Sequence, residues 1–266
     1  MKYGFFDYKY LIEGYHGQDF DGAMRYVFLV FCFASIPTLI YLLRNTKHET
    51  VTKVLRFLAI FMIVLEITKV SWESYWDIKT GQGFNAGGIL PFDTCSLFLY
   101  MLPLAGWGKG KVRTCALGWL STLGLVGGVS NVLFLQALKY YPFWTFGAMF
   151  SMVYHYLMVF VALWIVATRY LVFKPVIMFY AFLPHLLFSV LVIALDYHFG
   201  WDYMLYRFAG GVPFVEGVAS NWMAAGTPYL TTLLMLGLYF LFTALFTLLY
   251  TNAQASAQAS ERYVYS

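Results

Sequence analysis

Seven apolar runs punctuate the chain, and each is long enough to cross a bilayer as a helix. A hydrocarbon core of about 30 Å takes about 20 apolar residues, and within it every backbone N–H and C=O must be satisfied inside the segment. The runs are residues 24–43, 54–76, 88–107, 112–135, 143–168, 175–196 and 228–250. They predict an all-α, polytopic membrane protein with about seven transmembrane helices in one bundle. The third run is the weakest, because Pro91, Asp93 and Pro103 interrupt it; a partly re-entrant segment is the alternative. Composition agrees, with 61% hydrophobic and 11% charged residues against roughly 45–50% and about 25% in a soluble domain. A net charge of +4 is too mild to argue for nucleic acid. Cys32, Cys95 and Cys115 form neither a disulfide framework nor a CxxC pattern.

Basic residues set the expected orientation. Arg44, Lys47, Lys53 and Arg56 lie between runs one and two, Lys109, Lys111 and Arg113 between three and four, and Arg169 and Lys174 between five and six. The opposite side holds Lys79, Lys139 and Arg207 in its loops, with Lys2, Lys9 and Arg25 at or before the start of the first run. This asymmetry predicts the N-terminus outside, the C-terminus inside and a multi-pass protein of the plasma (cytoplasmic) membrane. Residues 1–23 are aromatic and acidic, with Asp7, Glu13, Asp19 and Asp21 and no basic region. They are expected to be an interfacial segment rather than a cleavable signal. The membrane domain spans 24–250. Within it, residues 197–227 are too polar to span yet rich in Trp, Tyr, Phe and Gly, and are expected as an ordered outer loop that lies at the interface or dips over the bundle. Residues 251–266, beginning with an Ala/Ser/Gln run, are expected as a flexible cytoplasmic tail.

Ionisable residues inside a span are costly, at about 2.5–3.5 kcal/mol near the bilayer centre, and normally face the interior with a partner. The second run carries Glu66, Lys69 and Glu73, whose i, i+3, i+7 spacing sets them on one helical face. Such pairs also serve packing alone. The third run begins Leu90-Pro91-Phe92-Asp93-Thr94-Cys95, with Cys95 about 9–11 Å into the apolar layer at the helical rise per residue. A nearby carboxylate disfavours the thiolate, so Cys95 needs a cationic or basic partner to act as a nucleophile. His155, in Tyr154-His155-Tyr156 of the fifth run, is the natural candidate. It lies roughly 18 Å deep on straight helices, so contact requires a tilt or an unwound start at Pro91; His185 of the sixth run is the alternative. Lone intrahelical histidines more often serve packing. Gly124, Gly127 and Gly128 permit close helix approach, and Asn131 is placed to hydrogen-bond across helices or to meet a ligand. Together Glu66, Lys69, Glu73, Asp93, Cys95, Asn131, His155 and His185 point to a polar cavity in the central and outer half of the bundle. No phosphate-cradling Gly-Lys loop, HExxH, GxSxG or zinc spacing is present, so no metal or other cofactor is expected.

These residues also carry a family resemblance. Leu90-Pro91-Phe92-Asp93-Thr94-Cys95-Ser96 resembles the Leu-Pro-Leu-His-Leu-Cys element of the YwaF-like bacterial integral membrane proteins, a family that includes animal transmembrane protein 164. Glu66 with Trp72, Gly124-Leu125-Val126-Gly127-Gly128, His155-Tyr156-Leu157-Met158-Val159 and Asp202-Tyr203-Met204 follow in the family's order, from about residue 54 to 250. The family's histidine two residues before the cysteine is Asp93 here. The resemblance implies a phospholipid acyltransferase or transacylase, with Cys95 and His155 as its cysteine and histidine, Glu66 and Lys69 orienting a lipid or acyl-lipid substrate, and the bilayer as its partner. A small-solute transporter or binding protein with a midplane site of Glu66, Lys69 and Asp93 is the second expectation, and a non-catalytic scaffold the third.

Overall fold

The computed structural model describes residues 4–8, 19, 22–208 and 215–264. Parts of the expected interfacial segment 1–23 and of the outer loop therefore lie outside the described residues. All regular structure among those described is helical. Seven of the helices are taken as α1 (Ala23–Leu43), α2 (His48–Lys79), α3 (Leu97–Trp107), α4 (Gly110–Ser121), α5 (Leu123–Phe134), α6 (Phe146–Ala167) and α7 (Ile177–Phe199). A short α8 (Val215–Ala224) and a long α9 (Tyr229–Val264) complete the series.

Five stretches among the described residues are long and apolar enough to cross a membrane: Ala23–Leu43, Gly110–Lys139, Phe146–Ala167, Ile177–Phe199 and Tyr229–Ala257. Outward-facing Phe33, Phe57, Leu187, Val190 and Leu233 stay exposed, as lipid-facing side chains do. Helix α2 has the length of a span but carries Arg56, Glu66, Lys69 and Glu73. The third run is not one helix. A single turn, Ala86–Ile89, precedes irregular backbone, and only the 11 residues of α3 are continuously helical. Pro91 lacks the N–H a helix needs, and the chain enters α3 through short-range bonds from Ser96 N to Asp93 O and Leu97 N to Thr94 O. The fourth run bends at Thr122 (φ −110°, ψ −87°), whose hydroxyl returns to Gly118 O at 2.9 Å.

Helices α4 and α5 form the centre and α1 the periphery, with 61% against 17% of their apolar windows buried. Close packing rests on small residues. A Cβ on Gly118 would lie 2.9 Å from Ala181 Cβ of α7, and one on Gly128 would lie 2.9 Å from Met158 Cβ of α6. The basic loops meet at one end of the bundle. There His48 Nε2 donates to Thr168 O at 3.2 Å, and Arg113 reaches Thr52 Oγ1 at 3.0 Å. Gln254 joins this end by accepting from Phe173 N and donating to Leu171 O. The expected flexible tail differs here, because α9 runs on to Val264; Ala and Gln are good helix formers, and Gln254 is anchored by its two bonds. At the opposite end Phe5 O accepts from Phe146 N and Trp72 Nε1 donates to Phe6 O.

Candidate functional site

Lys69 lies between two carboxylates of its own helix, 3.0 Å from Glu73 and 3.7 Å from Glu66. It also donates to Ile89 O at 3.0 Å. That carbonyl belongs to the broken stretch before α3, so the ammonium ties unwound backbone to α2. Glu66 is buried, while Asp93 stays exposed although the Met204 N–H faces its carboxyl. One cation thus serves Glu66 and Glu73 directly and acts on Asp93 through space.

Cys95 sits at the unwound entry to α3. The helix is about 16 Å long at 1.5 Å per residue, roughly half a hydrocarbon core. Its first turn has no side-chain cap, and its dipole favours negative charge there. The thiol accepts a hydrogen bond from Asn131 Nδ2 at 3.4 Å, and the same amide donates to Gly127 O at 3.2 Å. Gly127 makes this approach possible, since a Cβ there would stand 3.2 Å from Cys95 Sγ. Tyr154 donates to Cys95 O at 3.2 Å.

No hydrogen bond joins Cys95 to His155. His155 Nδ1 lies 2.7 Å from Ser151 O and 3.3 Å from Ser151 Oγ. A carbonyl only accepts, so in the neutral ring Nδ1 carries the proton and Nε2 the lone pair. Helices α5 and α6 run antiparallel, with Gly128 against Met158 and Val159. One turn further along α5, Asn131 comes to the height of His155, one turn back along α6. Asn131, at the level of the histidine, reaches the sulfur it bonds.

His185 belongs to a separate group. It is fully buried, its Nε2 lies 3.4 Å from the Tyr206 hydroxyl, and its ring packs 4.4 Å from that of Tyr239. Ser189 bonds the same Tyr206 hydroxyl and donates to His185 O. Burial raises the Tyr206 hydroxyl above its ordinary range, which keeps its proton in place. Tyr206 lies on the 197–227 loop, so this cluster fastens loop to bundle. The loop dips into the helices, with Tyr203, Met204 and Tyr206 buried, and Met204 and Leu205 adopt left-handed φ of 55° and 63°.

Residues not singled out by sequence complete the arrangement. Thr94 Oγ1 donates to Tyr239 OH at 2.9 Å, and that hydroxyl donates to Met204 O at 3.0 Å. Tyr239 and Tyr154 resemble ordinary aromatic filling of apolar helices; only a hydroxyl aimed at the 90–96 break distinguishes them. Among the described residues, no cluster of three or more His, Cys, Asp or Glu is arranged to hold a metal ion. In comparisons with known proteins, no family model, no curated protein and no solved structure matches the chain. The arrangement offers a thiol at a helix start, an amide donor on the sulfur, a histidine with a free Nε2 lone pair at the amide's level, and an ammonium among carboxylates.

Proposed function

We propose that the protein is a membrane-embedded lipid acyltransferase or transacylase, a YwaF-like protein, with Cys95 as nucleophile. The observation that carries this reading is the hydrogen bond from Asn131 to Cys95 Sγ at the uncapped start of α3. A donor and a helix dipole both favour negative charge on sulfur. Cys95 Sγ attacks the ester carbonyl of an acyl lipid, forming the C–S bond. The thiol proton passes to His155 Nε2 and on to the departing lipid oxygen as the C–O bond breaks. An acceptor hydroxyl then attacks the thioester, gives its proton to His155, and the thiol is restored. His155 approaches through movement of the unwound 90–96 stretch, which no continuous helix holds. Glu66, Lys69, Glu73 and Asp93 orient the polar headgroup.

The chain crosses the plasma membrane seven times in this reading, with α2 and the broken third segment joining the five apolar spans. The N-terminus is outside and the basic end inside. Purified protein in nanodiscs, supplied with acyl-labelled phospholipid and a lysophospholipid, tests the activity. Acyl transfer is expected, and its loss in Cys95→Ala but not in Cys115→Ala. Transfer that survives Cys95→Ala contradicts the assignment.

A small-solute binding or transport site is the second reading, favoured by the Lys69 ammonium that pairs with Glu66 and Glu73 and acts on Asp93 through space. It predicts that Glu66→Gln abolishes uptake into proteoliposomes while Cys95→Ser is tolerated.

A further inference from the structure

At the opposite end of α2 and α3 from the thiol lies a second, unrelated site. A cavity of about 350 Å³ opens between the first turns of α2 and α4 and the chain that follows α6, a size within the usual range for small ligands. Among the described residues that line it, Arg113 is the only half-buried cation. The guanidinium is held in place by Nε donating to Ala105 O at 3.1 Å and Nη2 donating to Thr52 Oγ1 at 3.0 Å, with Tyr170 beneath it at 4.9 Å. Nη1 makes no hydrogen bond to the described residues and is left for a ligand. Thr52 and Tyr170 hydroxyls are joined at 2.6 Å on the same wall. Both helices that begin here lack a side-chain cap, so their first-turn N–H groups add a partial positive charge at the cavity. Lys109 and Lys111 stand exposed at the start of α4. Glu49, an acid among the described lining residues, is paired with Lys53 at 2.7 Å.

We propose that this cavity binds a phosphate group, held by Arg113 and the two helix starts. A guanidinium fixed in place with one N–H edge left over, together with two helix starts, suits an oxyanion. Two sources have this chemistry, an anionic phospholipid headgroup at the membrane surface and free phosphate. The proposal stands on residues remote from Cys95 and does not depend on the acyl-transfer reading.

Native mass spectrometry of the full chain, released from detergent micelles, tests it with dioleoyl phosphatidic acid, dioleoyl phosphatidylcholine and inorganic phosphate as probes. Wild type is expected to retain phosphatidic acid about tenfold better than phosphatidylcholine, as one added charge-assisted contact gives. Arg113→Gln is expected to remove that preference. Because Arg113 also braces α3, Thr114→Glu, which adds a carboxylate to the lining at a partly exposed helix position, is the second variant. It is expected to lose the preference while its melting temperature is kept. If millimolar inorganic phosphate displaces phosphatidic acid, the site serves phosphate groups from either source; if it does not, the site is specific to the lipid headgroup. Equal retention of the two lipids by wild type, or an undiminished preference in folded Thr114→Glu, overturns the proposal.

Discussion

Among the described residues, two polar clusters in the bundle interior are built differently. Around His185, Ser189 and Tyr206 the hydroxyls and imidazole are fully buried and bonded to one another. Around Asp93 and Cys95 the backbone is irregular, Asp93 stays exposed and Cys95 is only half-buried. The closed cluster fastens the 197–227 loop to α7 and α9, whereas the open one sits on backbone that no continuous helix holds. Tyr239 is the hinge between them, stacking on His185 and bonding Thr94. The two histidines divide accordingly: His185 belongs to the closed cluster, and His155 keeps its Nε2 lone pair available.

Lys69→Met attacks the open cluster most severely. It leaves Glu66 and Glu73 without their cation, and loss of about 3–5 kcal/mol of stability is expected, read by thermal or denaturant unfolding in detergent. The double variant Lys69→Met/Glu73→Gln is expected to recover part of that loss; no recovery would show that the ammonium acts mainly through Ile89 O. Tyr206→Phe attacks the closed cluster instead. Removing one buried hydroxyl from Ser189 and His185 is expected to cost about 1–3 kcal/mol and to leave acyl transfer intact in the folded fraction. A Tyr206→Phe protein that folds fully but transfers no acyl group would erase the division between the clusters. Gly127→Ala sharpens it from the other side, as the added Cβ crowds Cys95 Sγ. Acyl transfer is expected to slow about tenfold, within the penalty for misplacing a reacting atom, with the melting temperature nearly unchanged. The smallest effect, about 1 kcal/mol, is expected for Gln254→Ala, read as faster amide exchange beyond residue 251.

Five of the expected spans were legible because lipid permits so few backbone solutions, and apolar length alone finds them. The break before α3 was legible too, since Pro91 and Asp93 interrupt the run. The helix through 252–264 was not: an Ala/Ser/Gln run reads as polar low-complexity chain, and only the side-chain bonds of Gln254 show what anchors it. At the site, the common face of Glu66, Lys69 and Glu73 followed from spacing, because i, i+3 and i+4 positions must meet on a helix. The bond from Asn131 to Cys95 did not, since it depends on how closely Gly127 lets α5 approach the α3 entry. Thr94, Tyr154 and Tyr239 escaped notice because their hydroxyls matter only through tertiary placement. The Arg113 cavity escaped for a similar reason, as basic residues in loops read first as orientation signals.

The central claim is that the thiol at the start of α3 takes up an acyl group, and trapping that group tests it most directly. Protein in nanodiscs with acyl-labelled phospholipid, quenched in acid within seconds and digested, is mapped by mass spectrometry. One acyl adduct is expected on the peptide containing Cys95, cleaved by neutral hydroxylamine as a thioester and absent from Cys95→Ala. An adduct confined to Cys32 or Cys115, or none on Cys95 while acyl transfer proceeds, would contradict it.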